Sequence, residues 1–108
     1  MVAVTDEALL AEAVRRLVEA LQPERIYLFG SRARGDARQD SDYDLLIVVP
    51  EAEDSTLHLS QRAYGALSGV GVSKDILVVT REEFERRSLA KTSLPSTVLR
   101  EGRLLYAA

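Results

Sequence analysis

Asp42 and Asp44 stand two residues apart at the start of the apolar run Tyr43–Val49 (YDLLIVV). On a strand such residues share a face, with backbone positions roughly 6.6–6.8 Å apart. Both carboxylates then point one way and Tyr43 the other. Like charges at that spacing raise one another's pKa unless something positive sits between them. No Lys or Arg lies within the run. A divalent cation would serve, since Mg²⁺ takes carboxylate oxygens at about 2.0–2.1 Å and keeps places for water and substrate phosphates. Asp75, just ahead of the apolar run Ile76–Val79 (ILVV), could add a third carboxylate from a neighbouring strand. Three carboxylates on one sheet face suit a two-metal site for phosphoryl or nucleotidyl transfer.

A second group of residues fits the same chemistry. Gly30 and Ser31 follow the short apolar run Ile26–Phe29 (IYLF). A glycine lets the backbone come close to a phosphate, and the amides of a following helix start, with the Ser31 hydroxyl, can bind phosphate oxygens. Arg32 and Arg34 come next and can pair with phosphates. An anion cradle thus lies next to a metal cradle in the chain. No G-x-x-x-x-G-K-[ST] stretch occurs, which excludes a P-loop.

Regular elements must position these groups. Thr5 with Asp6 and Glu7 reads as a helix start. Leu10, Val14, Leu17, Val18 and Leu21 keep the helical period until Pro23. Strands are predicted at Ile26–Phe29 and Tyr43–Val49, and a third at Ile76–Val79, entered from Val72. The polar segment Arg32–Gln39 could form a short helix, and Leu57–Leu67 reads as a longer one. Thr80-Arg81-Glu82-Glu83 is a capping box that opens a helix from Arg81 to Ala90. Pro95 opens a short helix within Ser93–Gly102, and Arg103–Ala107 (RLLYA) adds a final strand. The order α-β-α-β-α-β-α-(β) is an α/β (α+β) pattern, a small sheet flanked by helices.

Composition narrows the classes. The 108 residues suit one domain, 1–108, and are 46% hydrophobic and 29% charged, which argues against a disordered chain. The 14 Lys and Arg against 17 Asp and Glu leave a net charge of −3, so direct nucleic-acid binding is not expected. With no Cys, disulfides and thiolate chemistry are excluded, and a lone histidine, His58, excludes a multi-His metal site. No apolar run approaches the ~20 residues of a membrane span, and no signal-peptide pattern opens the chain. A cytoplasmic location is the expectation.

Gly30-Ser31-Arg32-Ala33-Arg34-Gly35 followed by Ser41-Asp42-Tyr43-Asp44-Leu45 resembles the signature of the minimal nucleotidyltransferase (MNT) family, part of the DNA polymerase β-like superfamily. Lys74-Asp75-Ile76 occupies the place of that family's later acid, and Glu101 to Tyr106 is similar to its usual end. The resemblance implies a small mixed sheet with a polymerase β palm-like fold. It implies that Asp42 and Asp44 bind two Mg²⁺ ions, with Mn²⁺ an alternative. Asp75 would ligate the catalytic metal and help deprotonate the incoming hydroxyl. Gly30 and Ser31 would hold the triphosphate of ATP or another nucleoside triphosphate, with Arg32, Arg34 and Ser41 in the nucleotide-binding set. Asp75 departs locally in following the polar pair Ser73-Lys74 rather than a wholly apolar run.

With 108 residues read as one domain, no second domain that would shape an acceptor site is expected, and a partner or second subunit is expected to hold the acceptor. In the MNT family the usual partner is a helical HEPN toxin, and the activity is transfer of AMP from ATP to a HEPN tyrosine. The leading expectation is such an AMP-transferring antitoxin. The alternatives are a non-catalytic module that neutralises or regulates a HEPN partner by binding, and a small-molecule nucleotidyltransferase subunit. The remaining polar and aromatic residues read as structural: His58 as solvated or capping, Tyr43 as packing, Tyr64 and Tyr106 as core or edge. The acidic loop Glu51–Asp54 and the run Arg81, Arg86, Arg87 read as solvated. Leucines near Leu94 and Leu104, if exposed, could form a subunit interface, including one between copies of this chain.

Overall fold

The computed structural model describes residues 6–38, 41–51 and 55–108. The elements are α1 (Asp6–Leu21), β1 (Arg25–Phe29), α2 (Ser31–Arg34), β2 (Tyr43–Val49), α3 (Thr56–Ala66), β3 (Lys74–Thr80), α4 (Arg81–Ser88), α5 (Leu94–Glu101) and β4 (Arg103–Ala107). The sequence expectation of a sheet with flanking helices is met. The Thr5 cap and most of the acidic loop fall outside the described residues.

Boundaries shift by a residue or two: α3 runs Thr56–Ala66 rather than Leu57–Leu67, α4 stops at Ser88 rather than Ala90, and β1 gains Arg25. Two further shifts have a local reason. The polar helix starts at Ser31 and lasts one turn, because Gly35 takes a left-handed φ of 86° and closes it through its N–H to Ser31 O. β3 begins at Lys74 rather than Val72, because pairing with β2 starts at Tyr43 opposite Lys74.

The sheet order is β3-β2-β1-β4. β1 runs antiparallel to both β2 and β4, while β2 and β3 are parallel. A parallel pair needs a crossover, and α3 supplies it. β2 lies inside the sheet and is apolar along nearly its whole length, as expected for a strand covered on both faces.

The two faces carry separate cores. On one, α1 and α3 pack Leu10, Ala13, Leu17, Leu59, Ala63 and Leu67 against Ile26, Leu28, Tyr43, Leu45, Ile47, Ile76 and Val78. On the other, Phe84 of α4 and Val98 of α5 cover Tyr27, Leu46, Val48 and Val79. The Tyr27 and Phe84 rings stack with centroids 5.7 Å apart, and the Arg25 guanidinium lies 4.9 Å from the Phe84 centroid. Along β2 and β3 the buried set on this second face stops at Leu46 and Val79. Nearer the strand starts the same face carries Asp44 and Asp75, and the latter is exposed. The partial helix cover leaves the site open there.

Candidate active site

Strand register brings the acids together. Phe29 pairs with Asp44 across β1 and β2, and Asp44 pairs with Asp75 across β2 and β3. Adjacent strands lie about 4.8 Å apart, so Asp44 and Asp75 are immediate neighbours on one face. Asp42, one residue ahead of β2, is exposed. Tyr43 points into the α1/α3 core, as the alternation requires.

Gly30 meets this row from the end of β1. Its φ of 75° and ψ of −157° place it where essentially only glycine is found. A Cβ built there would collide with Oδ2 of Asp44. The turn therefore lies directly against the central acid. Ser31 follows, half-buried, and among the described residues its hydroxyl has no protein partner. The one-turn helix after it offers local N–H groups rather than a summed dipole.

Hydroxyls engage the two outer acids. Ser73 Oγ donates to Asp42 Oδ1. Tyr64 Oη donates to Asp75 Oδ1 at 3.4 Å and accepts from the Ile76 N–H at 2.9 Å. Of the two places the sequence allows for Tyr64, core or edge, it takes the edge, and there it touches the site. Lys74 does not pair with Asp75 in this arrangement. Its ammonium donates to the carbonyls of Val70 and Val72.

The arginines divide. Arg32 donates through Nε (3.0 Å) and Nη2 (2.9 Å) to the Ser41 carbonyl, and its guanidinium lies 4.0 Å from the Tyr43 ring centroid. The Ser41 hydroxyl accepts from the Arg38 N–H at 2.8 Å. These contacts of Arg32 and Ser41 thus share a local task, holding Ser41, the residue before Asp42. Arg34 is exposed, 3.4 Å from Asp36, and its charge reaches Asp44.

Asp44 carries the electrostatic tension. Burial first, then the charges of Asp75 and Asp42, push its pKa above the ordinary carboxylate value, and Arg34 opposes them. Among the described residues no three acidic or imidazole side chains converge as a ready-made metal cage. The acids share a face and a row, and their donor set is all oxygen, which suits a hard cation such as Mg²⁺ or Mn²⁺. A divalent ion would offset the Asp75 and Asp42 charges that add to burial in raising the Asp44 pKa. The residues therefore fit such an ion.

Elsewhere, His58 is exposed near the start of α3, with its N–H on the Ser55 cap. Arg81 pairs with Glu24 and Arg87 with Glu83. Leu94 is itself half-buried against the second core, whereas Leu89 and Leu99 near it, and Leu104, are exposed. No helix among the described residues is long and apolar enough to cross a membrane.

Comparison with known proteins places the fold in a family. A Methanocaldococcus jannaschii protein, named as a candidate protein adenylyltransferase, is 35% identical over 101 residues, covering 88% of this chain and 96% of its own. The protein adenylyltransferase MntA of Thermococcus cleftensis is 28% identical over 95 residues, covering 88% and 87%. A solved complex of tri-AMPylated Shewanella oneidensis HEPN toxin with MNT antitoxin shares the fold. Its TM-score is 0.57 at 17% identity, with 96% of this chain and 74% of that one covered. Residues 9–105 match the nucleotidyltransferase domain model. That match takes in the Gly30 turn, the acid row and all four strands up to Leu105, so this chain belongs to the nucleotidyltransferase domain family, in its minimal, MntA-like form.

Proposed function

We propose that this nucleotidyltransferase moves AMP from ATP to a tyrosine hydroxyl of a helical HEPN-type toxin and so silences it. The observation that carries the reading is the position of Asp44, in contact with Gly30 on one side and in register with Asp75 on the other. A phosphate turn and an acid row in contact are what a triphosphate bound through a divalent cation requires. Similarity to protein adenylyltransferases and to the antitoxin of a HEPN complex supports the acceptor class.

Asp42, Asp44 and Asp75 would hold Mg²⁺, which when bound supplies charge neutralisation for phosphate and acceptor oxygen. Gly30 and Ser31 hold the triphosphate, and Arg34 offsets its charge. Arg32 and Ser41 keep the approach to Asp42 in shape. Asp75 takes the proton of the acceptor hydroxyl. The acceptor oxygen bonds to the α-phosphorus, the bond from that phosphorus to the bridging β-phosphate oxygen breaks, and pyrophosphate leaves. The cytoplasm is the compartment this chemistry calls for.

Intact-mass spectrometry of a purified HEPN-family partner tests the reading. The partner is incubated with this chain, ATP and Mg²⁺, beside an Asp42→Asn, Asp44→Asn control. Added AMP masses that vanish in the control are the expected result. An unmodified partner in a stable complex would replace the reading with neutralisation by binding alone.

A further inference from the structure

Tyr64 belongs to α3, the helix that covers the sheet face opposite the acids. Its neighbours Ala63 and Leu67 are buried in the α1/α3 core, which fixes the helix beside β3. Strand β3 is an edge of the sheet, with β2 on one side only. Tyr64 reaches that edge, and its hydroxyl accepts the Ile76 N–H at 2.9 Å. That bond uses an N–H that an edge strand otherwise presents to solvent. The hydroxyl has one proton, and the structure directs it to Oδ1 of Asp75 at 3.4 Å. A backbone bond thus anchors the oxygen whose proton faces the acid.

Asp75 needs such an anchor more than Asp44 does. Asp44 is half-buried and packed against Gly30, whereas Asp75 is exposed on the edge strand. An exposed carboxylate samples several rotamers unless something selects one. We infer that Tyr64 is a positioning residue for Asp75, holding its carboxylate in one rotamer and leaving the second oxygen for the reaction. The inference rests on the AMP-transfer reading for its catalytic consequence, though its structural part stands apart from that reading. It also joins α3 to the acid row across the edge of the sheet.

Tyr64→Phe tests it, since the ring and its packing remain and only the hydroxyl is lost. In the cation-free protein, the Hα–Hβ scalar couplings of Asp75 report its rotamer. They should show one rotamer in the unmodified chain and averaging in the variant, with the Asp44 couplings unchanged. In AMP transfer to a HEPN-family partner, kcat should fall roughly ten-fold, the loss of one hydrogen bond to a charged group, while KM for ATP is unchanged. A hydroxyl that merely caps the strand would give faster Ile76 amide exchange and a lower Tm, with Asp75 couplings and kcat unaltered, and that result would overturn the inference. Averaged couplings with an unchanged kcat would overturn it too. Should the unmodified chain transfer no AMP, the function reading fails, and the couplings alone decide the role of Tyr64.

Discussion

Asp44 of β2 lies directly opposite Asp75 of β3 in the parallel strand pair, so two carboxylates are neighbours on one sheet face. Burial and this contact raise the Asp44 pKa, with Asp42 adding to it. A raised carboxylate pKa means the fold prefers the protonated form. Its contribution to stability is complete below the unfolded value and is lost as pH rises through the folded one. At neutral pH the charged Asp44 therefore costs stability. Asp44→Asn should raise Tm at pH 7 in EDTA, and the gain should shrink as pH falls below the ordinary carboxylate range. In a domain this small about 1 kcal/mol moves Tm by roughly 4–8 °C, so thermal unfolding at pH 7 and pH 3 resolves the difference. An equal gain at both pH values would contradict the assignment.

Asp75→Asn should separate binding from chemistry. The amide keeps the shape and a ligand oxygen but takes no proton from an acceptor hydroxyl. Loss of a general base costs roughly 10²–10⁴ in rate. AMP transfer should fall within that range while the variant still binds ATP with Mg²⁺ by calorimetry. Transfer at an undiminished rate would remove Asp75 from the proton path.

Gly30 and Gly35 offer a matched comparison. Both have positive φ, 75° and 86°, but a Cβ at Gly30 meets Asp44 whereas one at Gly35 meets nothing within 4 Å. Gly35→Ala carries backbone strain alone, about 1–2 kcal/mol. Gly30→Ala adds the collision with Asp44 and should lower Tm further. It should also weaken ATP binding, which Gly35→Ala should leave close to normal. Equal effects of the two variants on ATP binding would mean that the contact between turn and acid has no functional weight.

The strands and the acid row are legible in the chain because their signals are local. Short apolar runs bounded by Gly30, Pro50 and Thr80 mark the strands, and the two-residue period puts Asp42 and Asp44 on one face. That Asp75 falls opposite Asp44 depends on a crossover register, and the MNT resemblance, not periodicity, points there. Tyr64 carries no local signal. It lies on a helix covering the other face and reaches Asp75 only because α3 packs beside the edge of β3. Arg32 has contacts with no local signal either. Next to Gly30-Ser31 it reads as a phosphate ligand, and in the structure the aromatic face of Tyr43 and the Ser41 carbonyl, nine and more residues away, hold its guanidinium.

Arg32 and Arg34 should accordingly fail in different ways. Arg32 uses two nitrogens on one carbonyl and stacks on a buried tyrosine ring, a planar geometry that an ammonium does not reproduce. Arg32→Lys should therefore lower Tm nearly as much as Arg32→Ala, and both should loosen the segment before Asp42, seen as faster amide exchange at Tyr43. Arg34 is exposed and acts on Asp44 through its charge. Arg34→Ala should leave stability within about 0.5 kcal/mol of the unmodified chain, the usual range for surface changes. Its effect should appear in KM for ATP, and that effect should shrink in high salt, which screens exposed charges. Rescue of Tm by Arg32→Lys, or a salt-independent Arg34 effect, would reverse the division of labour between the two arginines.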